Sequence, residues 1–362
     1  MYIIPDCYIL LNMKKNILDL TPEELAGEIK NMGEKPYRAR QVFSAIAKKH
    51  IDDFYKITSI PEKLRGRLDK KFNISGLTYA GNLVSRKDGT GKYLWQLGDG
   101  LYIESVLIKK SRRLTLCIST QAGCRIGCPF CASGTDGFKR DLDTAEIAGQ
   151  YVETQKRQQT RITNIVFMGM GEPLDNFDNL YKAIKIINDP DGPGLGARRI
   201  TVSTCGLVPG MKKLAGTGLQ TELSVSLHST YDARRNELVP VNRKYPLKEL
   251  YKACEEYKEK TGRVITLEYT VIRGKNDSDD EAVRLGKVSK KLGAKINLIK
   301  CSPTGRNGKD RGHADRAGIN RFKKVIKRNG GKVTVRDSAG EDIAAACGQL
   351  AIRKGTDDRH EG

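Results

Sequence analysis

The pattern of apolar and polar positions changes character twice along the chain. From residue 14 to about 75, apolar residues recur at helical spacing among many polar ones. Thr21-Pro22-Glu23-Glu24 forms a capping box, with the Thr21 hydroxyl as cap, Pro22 at the first helical position and Glu24 reaching back. A second helix is expected after Pro36 and a third over Pro61 to Lys71. Residues 78 to 108 then alternate with period two. Turns at Lys87-Asp88-Gly89-Thr90-Gly91-Lys92 and Gly98-Asp99-Gly100 predict β-hairpins. The strand after the second turn, Leu101 to Ile108, carries Glu104 among apolar neighbours.

From about 112 onward, short β-branched runs alternate with helix-length segments. The expected strands are Leu114–Ser119, Asn164–Met168, Arg199–Thr204, Glu222–Leu227, Val264–Ile272, Lys295–Ile299 and Lys332–Arg336. Expected helices between them include Thr144–Arg157, Leu247–Lys260 and Asp279–Leu292. Such alternation argues for a parallel sheet with right-handed crossovers. Six or so repeats fit an α/β fold, a full or partial α/β barrel, with a small N-terminal helical domain and a β-hairpin extension. Its active site is expected in the loops after the strand C-terminal ends. The layout is an N-terminal extension over 1–13, a helical domain over 14–76, a hairpin connector over 77–111, the barrel over 112–350 and a charged tail over 351–362.

Met1 to Asn12 are apolar enough to suggest a signal peptide, but no basic stretch precedes them and no small-residue cleavage site follows. Met13 opens a polar, helix-like segment, so a start placed upstream of the true one is an equal reading. The expected location is cytoplasmic, since no apolar run approaches the roughly 20 residues that span a bilayer.

Charge adds a partner. The 362 residues hold 64 Lys plus Arg against 43 Asp plus Glu, a net charge of +21. That balance favours a polyanion such as nucleic acid, because phosphate contacts are made by Lys and Arg. Basic residues recur in the helical segment (Arg38, Arg40, Lys48, Lys49, Arg65, Arg67, Lys70 and Lys71), which suits RNA contact; a solvated helical cap fits the same residues.

Nine cysteines, an odd number, fit a reduced chain using thiols for metal or catalysis better than a disulfide scaffold. Three of them form Cys124-Arg125-Ile126-Gly127-Cys128-Pro129-Phe130-Cys131, following the first barrel strand. Iron–sulfur clusters are held by cysteine thiolates, usually four. Zinc sites typically use two cysteine pairs, or histidine; here there is neither a nearby histidine nor a second pair. Three ligands on a four-iron cube leave one iron open to a substrate or cofactor. Of the other cysteines, Cys205 at a strand end and Cys254 in a helix read as small core residues. On spacing alone Cys347 reads the same way, and Glu104 as an edge-strand carboxylate pairing with Lys109, Lys110, Arg112 or Arg113.

A C-x3-C-x2-C segment after the first strand of an α/β barrel resembles the radical S-adenosylmethionine (SAM) enzymes. In them a motif like Gly169-Met170-Gly171-Glu172-Pro173 binds the SAM amino group. The resemblance therefore implies a partial (β/α)6 TIM-like barrel, a [4Fe-4S] cluster on Cys124, Cys128 and Cys131, and SAM held at Gly171 and Glu172. It also places Ser203 and Ser226-Leu227-His228 at the adenosyl group. Apart from it, Ser203 is an ordinary strand-end hydroxyl and His228 a hydrogen-bonded structural histidine.

Longer motifs narrow the resemblance. Ala132-Ser133-Gly134 and Lys139-Arg140 after the cysteines, Met168 to Leu174, Ser226 to His228, Leu238 to Pro246 and Asp342 to Leu350 together look like the RlmN family. These are dual-specificity adenine carbon-2 methyltransferases of 23S rRNA and tRNA, and the likeness covers nearly the whole chain. It implies two SAM molecules per turnover, an external one-electron donor such as flavodoxin, a monomer and no membrane. One SAM methylates Cys347 by displacement; a second yields a deoxyadenosyl radical that takes hydrogen from that methyl. The methylene radical joins carbon 2, Glu104 accepts the proton, and Cys117 attacks Cys347, releasing the base through a transient disulfide. Carbon 2 of adenine is electrophilic, so polar methyl transfer lacks a nucleophile there. Disulfide closure requires Cα atoms within about 7 Å.

The family usually places an asparagine before a proline after the strand ending at Ile299. This chain has Ser302 there, with a shorter reach, and Cys301 has no assigned role. Thr304 to His313 suits either RNA backbone contact or a plain loop. The related Cfr branch methylates carbon 8 and shares the cluster and both reactive cysteines. The text from Gly169 to Asn176 and the Glu104 strand are more similar to RlmN.

Overall fold

The β-branched runs from 112 onward do form one parallel sheet, and the hairpin strands join it. The structure, a computed structural model, describes residues 14–74, 76–302 and 314–350. The loop read over Thr304 to His313, the N-terminal extension and the tail lie outside the described residues.

The main sheet has ten strands. Three are antiparallel: β1 (Leu77–Val84), β2 (Gly91–Leu97) and β3 (Tyr102–Lys110). β3 pairs antiparallel with β4 (Arg113–Cys117). From β4 all pairing is parallel, through β5 (Asn164–Phe167), β6 (Ile200–Thr204), β7 (Glu222–Ser226), β8 (Thr266–Val271), β9 (Lys295–Lys300) and β10 (Lys332–Arg336). Helical crossovers separate the parallel strands, as in a partial α/β barrel.

The N-terminal segment forms α1 (Pro22–Asn31), α2 (Tyr37–Phe43) and α3 (Glu62–Lys71). The capping box at α1 is present: Glu24 N donates to Thr21 Oγ1 (3.3 Å) and Thr21 N donates to Glu24 Oε2 (2.8 Å). Asp19 Oδ1 accepts from Ala145 N (2.8 Å) at the start of α4 (Thr144–Lys156), and Lys182 and Lys185 pair with Glu24 and Glu23. These contacts seat the small helices on the barrel, and one apolar core runs through both.

The hairpin strands bury their two faces differently. On one face Tyr93 and Trp95 stack with centroids 5.7 Å apart, and Arg157, just past α4, lies over Trp95. The other face carries Lys92, Leu94, Glu104, Val106 and Cys117, placed together by the pairs Lys92–Val106, Leu94–Glu104 and Val106–Cys117. The remaining crossovers include α5 (Phe177–Asn188), α6 (Val208–Gly216), α7 (Leu247–Thr261), α8 (Asp279–Leu292) and α9 (Arg316–Arg328). No helix among the described residues is long and apolar enough to cross a membrane.

Candidate active site

Main-chain hydrogen bonds consumed along each strand run out at its C-terminal end, where loops and polar side chains take over. A cleft of about 960 Å³, counting space open to solvent, lies at these ends. One wall is the segment 118–131 after β4, with Cys124, Cys128 and Cys131; the other walls come from β5 to β9 and from Cys347-Gly348.

The loops after β4 and β5 are knitted together. Gly169 N donates to Ile118 O (3.1 Å), Thr120 N to Met170 O (2.8 Å), Met170 N to Ser119 Oγ (2.9 Å) and Glu172 N to Gln121 Oε1 (2.9 Å). Two glycines allow this approach. A Cβ on Gly169 would lie 2.7 Å from the Ile118 carbonyl, and one on Gly171, where φ is +100°, would lie 2.6 Å from Gln121 Cβ.

Glu172 is buried in the cleft wall, where Oε2 accepts from Cys205 N (2.6 Å) and Oε1 from Leu174 N (3.1 Å). Burial pushes its carboxyl up to about 7, against the opposing hydrogen bond from Cys205. A carboxylate so placed suits an ammonium partner. Ser203, Ser226, His228 and Ser302 all line the cleft. His228 Nδ1 accepts from Thr270 N (3.0 Å), so its proton sits on Nε2, and its ring meets Phe130 edge-on at 4.9 Å. Burial, then Arg235, holds His228 down to about 3, so it stays neutral.

Leu227 is placed differently from its neighbours. It is wholly buried and is not among the cleft-lining residues; its N–H donates to Glu268 O (2.9 Å) and its carbonyl accepts from Arg235 Nε (3.0 Å).

Cys117 and Cys347, at opposite ends of the barrel sequence, line one smaller cavity of about 660 Å³ with Val106, Ile108, Met168 and Arg336. Cys347 also lines the main cleft and is exposed, while Cys117 is buried. Burial, then the neighbouring Cys347, pushes the Cys117 thiol up to about 12, and Arg336 opposes this. Glu104 lines neither cavity, but shares a sheet face with Val106 and Ile108, which do. It pairs with Lys92, Nζ to Oε1 3.0 Å, across β2 and β3. A cross-strand lysine thus pairs with it, where sequence had pointed to the basic residues that follow it.

Three further side chains line the cleft, where sequence had not placed them. Cys205, read as a core residue, lines the cleft with its thiol against Cys128; Cys254 is buried as expected. Cys301 lines the cleft and packs in the apolar group that includes Cys128. Glu268 lies on the cleft floor, accepting from Ser224 Oγ (3.2 Å) and Asn297 Nδ2 (2.8 Å). A lone acidic residue in the apolar run of β8 was the available signal for it.

Among the described residues, no group of three or more His, Cys, Asp or Glu is arranged to hold a single metal ion. Thiolates on a cube sit at separate corners, each on its own iron, so they need not converge on one point. Burial pushes the Cys124 and Cys131 thiols up. Thiolates there need the positive charge that iron supplies. The donor set thus fits a cluster facing the cleft.

Comparison with known proteins agrees over more than nine-tenths of the chain. Residues 118–286 match the radical SAM superfamily, and residues 15–74 match the N-terminal domain of the ribosomal RNA large subunit methyltransferase. A probable dual-specificity RNA methyltransferase RlmN of Thermotoga maritima is 42% identical over 340 residues, covering 94% of this chain and 98% of the relative. One of Clostridium perfringens is 42% identical over 336 residues, covering 93% and 96%. The crystal structure of a radical SAM methyltransferase from Sphaerobacter thermophilus superposes with a TM-score of 0.88 at 40% identity, covering 93% and 99%. Superfamily membership implies SAM and a [4Fe-4S] cluster, and the chain belongs to the RlmN family of radical SAM methyltransferases.

Proposed function

We propose that the enzyme methylates carbon 2 of an adenosine in 23S rRNA and in tRNAs by way of a methyl group carried on Cys347. One observation carries this reading: Cys117 and Cys347 share a small cavity that opens beside the cleft fitted for SAM. Bound together, the cluster and SAM supply one-electron reductive cleavage and hence a deoxyadenosyl radical. Two SAM molecules are used per turnover, and the electron comes from an external donor such as flavodoxin.

The chain's own residues do the rest. Cys124, Cys128 and Cys131 hold the cluster and leave one iron for SAM. Gly169 and Gly171 let the main chain approach SAM, and Glu172 takes its ammonium. Ser203, Ser226, His228 and Ser302 surround the space left for the adenosyl group. The Cys347 thiolate displaces the methyl of a first SAM: a sulfur–carbon bond forms as the sulfonium–methyl bond breaks. The Cys347 methyl gives a hydrogen atom to the deoxyadenosyl radical and its carbon bonds to carbon 2; the unpaired electron this leaves on the ring returns to the one-electron couple that supplied it, and Glu104 then takes the ring proton. Cys117 then attacks Cys347 Sγ. The disulfide forms as the sulfur–methylene bond breaks, and the methylene carbon keeps the pair and takes a proton to become the new methyl.

Mass analysis of nucleosides from digested RNA tests the site. The expected product is 2-methyladenosine; 8-methyladenosine alone would establish Cfr-type chemistry instead. Peptide mass spectrometry of cluster-replete protein should show Cys347 methylated, and an unmodified Cys347 would overturn the carrier mechanism. A colourless protein with zinc in place of about four irons per chain would reduce the reading to RNA binding around a structural metal.

A further inference from the structure

Three contacts run from the edge hairpin to the loop that carries Cys347. Ser85 Oγ donates to Asp342 Oδ1 (2.8 Å), and Gly340 N donates to Asp88 Oδ2 (2.9 Å). The third is made by Lys92, whose Nζ lies 3.0 Å from Glu104 Oε1 and donates to Ala344 O at 3.4 Å. Both charged side chains are enclosed, Lys92 13% and Glu104 7% exposed. Ala344 is held at φ +51°, a left-handed conformation uncommon outside glycine, three residues before the reactive thiol.

A lysine this enclosed, bridging a carboxylate and a main-chain carbonyl, differs from a surface ion pair. The Coulomb attraction is little screened, and the geometry is fixed by two partners on separate parts of the fold. The sheet register also places Lys92, Glu104, Val106 and Cys117 on one face, the face that borders the cavity shared by the two cysteines.

We propose that Lys92 is a positioning residue: its ammonium orients the Glu104 carboxylate and ties it to the main chain of the Cys347 loop. The proton acceptor and the carbon carrier are thereby held in register on the same atom of the base. This rests on the roles given above to Glu104 and Cys347. In the step concerned, the adduct has already returned its one unpaired electron to the couple that supplied it; the C2–H bond breaks, its electron pair stays in the ring, and the proton forms an O–H bond on Glu104. Lys92 takes no part in bond making. It fixes where the carboxylate stands when the loop delivers the adduct.

The test uses full-length, cluster-loaded protein under anaerobic conditions with a 23S rRNA fragment. Two quantities are read: the fraction of Cys347 carrying a methyl group, by peptide mass spectrometry, and the fraction of RNA joined covalently to protein, by denaturing gel. Lys92→Met should leave Cys347 methylated to the wild-type extent while the covalent adduct accumulates about tenfold or more, as expected for a displaced general base. Lys92→Arg should restore release. Glu104→Gln should accumulate adduct, and adding Lys92→Met to it should add nothing.

Wild-type release by Lys92→Met overturns the inference. So does parallel loss of methylation and adduct, the signature of a purely structural ion pair. Free turnover by Glu104→Gln would remove Glu104 from its role and the inference with it. That outcome is distinguishable from the others because the Glu104 variant is scored by itself.

Discussion

Replacing Gly171 by alanine asks whether the cleft is built on main-chain approach. The new Cβ would lie 2.6 Å from Gln121 Cβ and 2.7 Å from its backbone nitrogen, at a φ of +100°. Gln121 cannot withdraw freely. Its amide donates to Asp141 (2.8 Å) and Asp175 (2.9 Å), and its carbonyl accepts from Glu172 N. The backbone conformation costs a non-glycine residue about 1–3 kcal/mol, and overpacking adds about 1–3 kcal/mol. The sum of about 2–6 kcal/mol is a large share of a typical stability of about 5–15 kcal/mol. Whatever part is relieved by movement displaces Glu172, so SAM affinity should fall as well. The matched control is Gly27→Ala. Gly27 lies inside α1 with nothing within 4 Å of the place a methyl group would take, and alanine there should stabilise by about 0.5–1 kcal/mol. Urea unfolding followed by circular dichroism and equilibrium dialysis with labelled SAM read the two effects. A Gly171→Ala protein that melts with the wild type and binds SAM equally well would refute the reasoning.

The Glu172 carboxyl, raised to about 7 by burial, should make SAM binding depend on pH. The SAM ammonium favours the carboxylate, so binding near pH 6 releases a proton, and affinity there should be about tenfold below that at pH 8; calorimetry in two buffers measures the proton, and a flat profile would contradict it. The same raised value contributes stability below the ordinary carboxyl value of 4.5, which is lost as pH rises through about 7; Glu172→Gln should flatten this slope in urea melts. Cys117→Ala should trap RNA on the protein as a band stable to denaturing gels, and free turnover by that variant would remove Cys117 from its role. Thr21→Ala removes the cap of α1 and should cost about 1 kcal/mol in the same melts, with no cost if the cap contributes nothing.

The barrel was legible because fully buried strands and crossover helices differ in length and composition. Strand edges were less so: Val264–Ile272 is in fact Thr266–Val271, since apolar pattern reports burial and not ladder hydrogen bonds. The cluster cysteines stand close in sequence and could be read together. Contacts between distant segments could not. The hairpins continue the barrel sheet as its edge, a pairing set by long-range register. Glu104 was matched with lysines and arginines beyond it along the chain, yet its partner Lys92 lies across a turn on the neighbouring strand. Ser226-Leu227-His228 was read as a unit, but side chains at a strand end alternate, so Ser226 and His228 face the cleft and Leu227 the core. Cys205 looked like filler because small thiols usually are, and Cys301 had no assigned role; their positions at the strand ends bring both to the cleft wall.

The turn between β3 and β4 is only Ser111-Arg112, with Ser111 at φ +53°. Side chains on a strand switch face at every residue. Were one extra residue here taken up by the ladder and not by the loop, most of the fold's apolar inventory would stay intact, yet the whole of β3 would fall out of phase with β4. Val106 would no longer oppose Cys117, and Glu104 would point into the layer now filled by Trp95 and α4. The proposed chemistry thus depends on parity: a single-residue slip of this ladder would separate the proposed proton acceptor from the two cysteines it works beside.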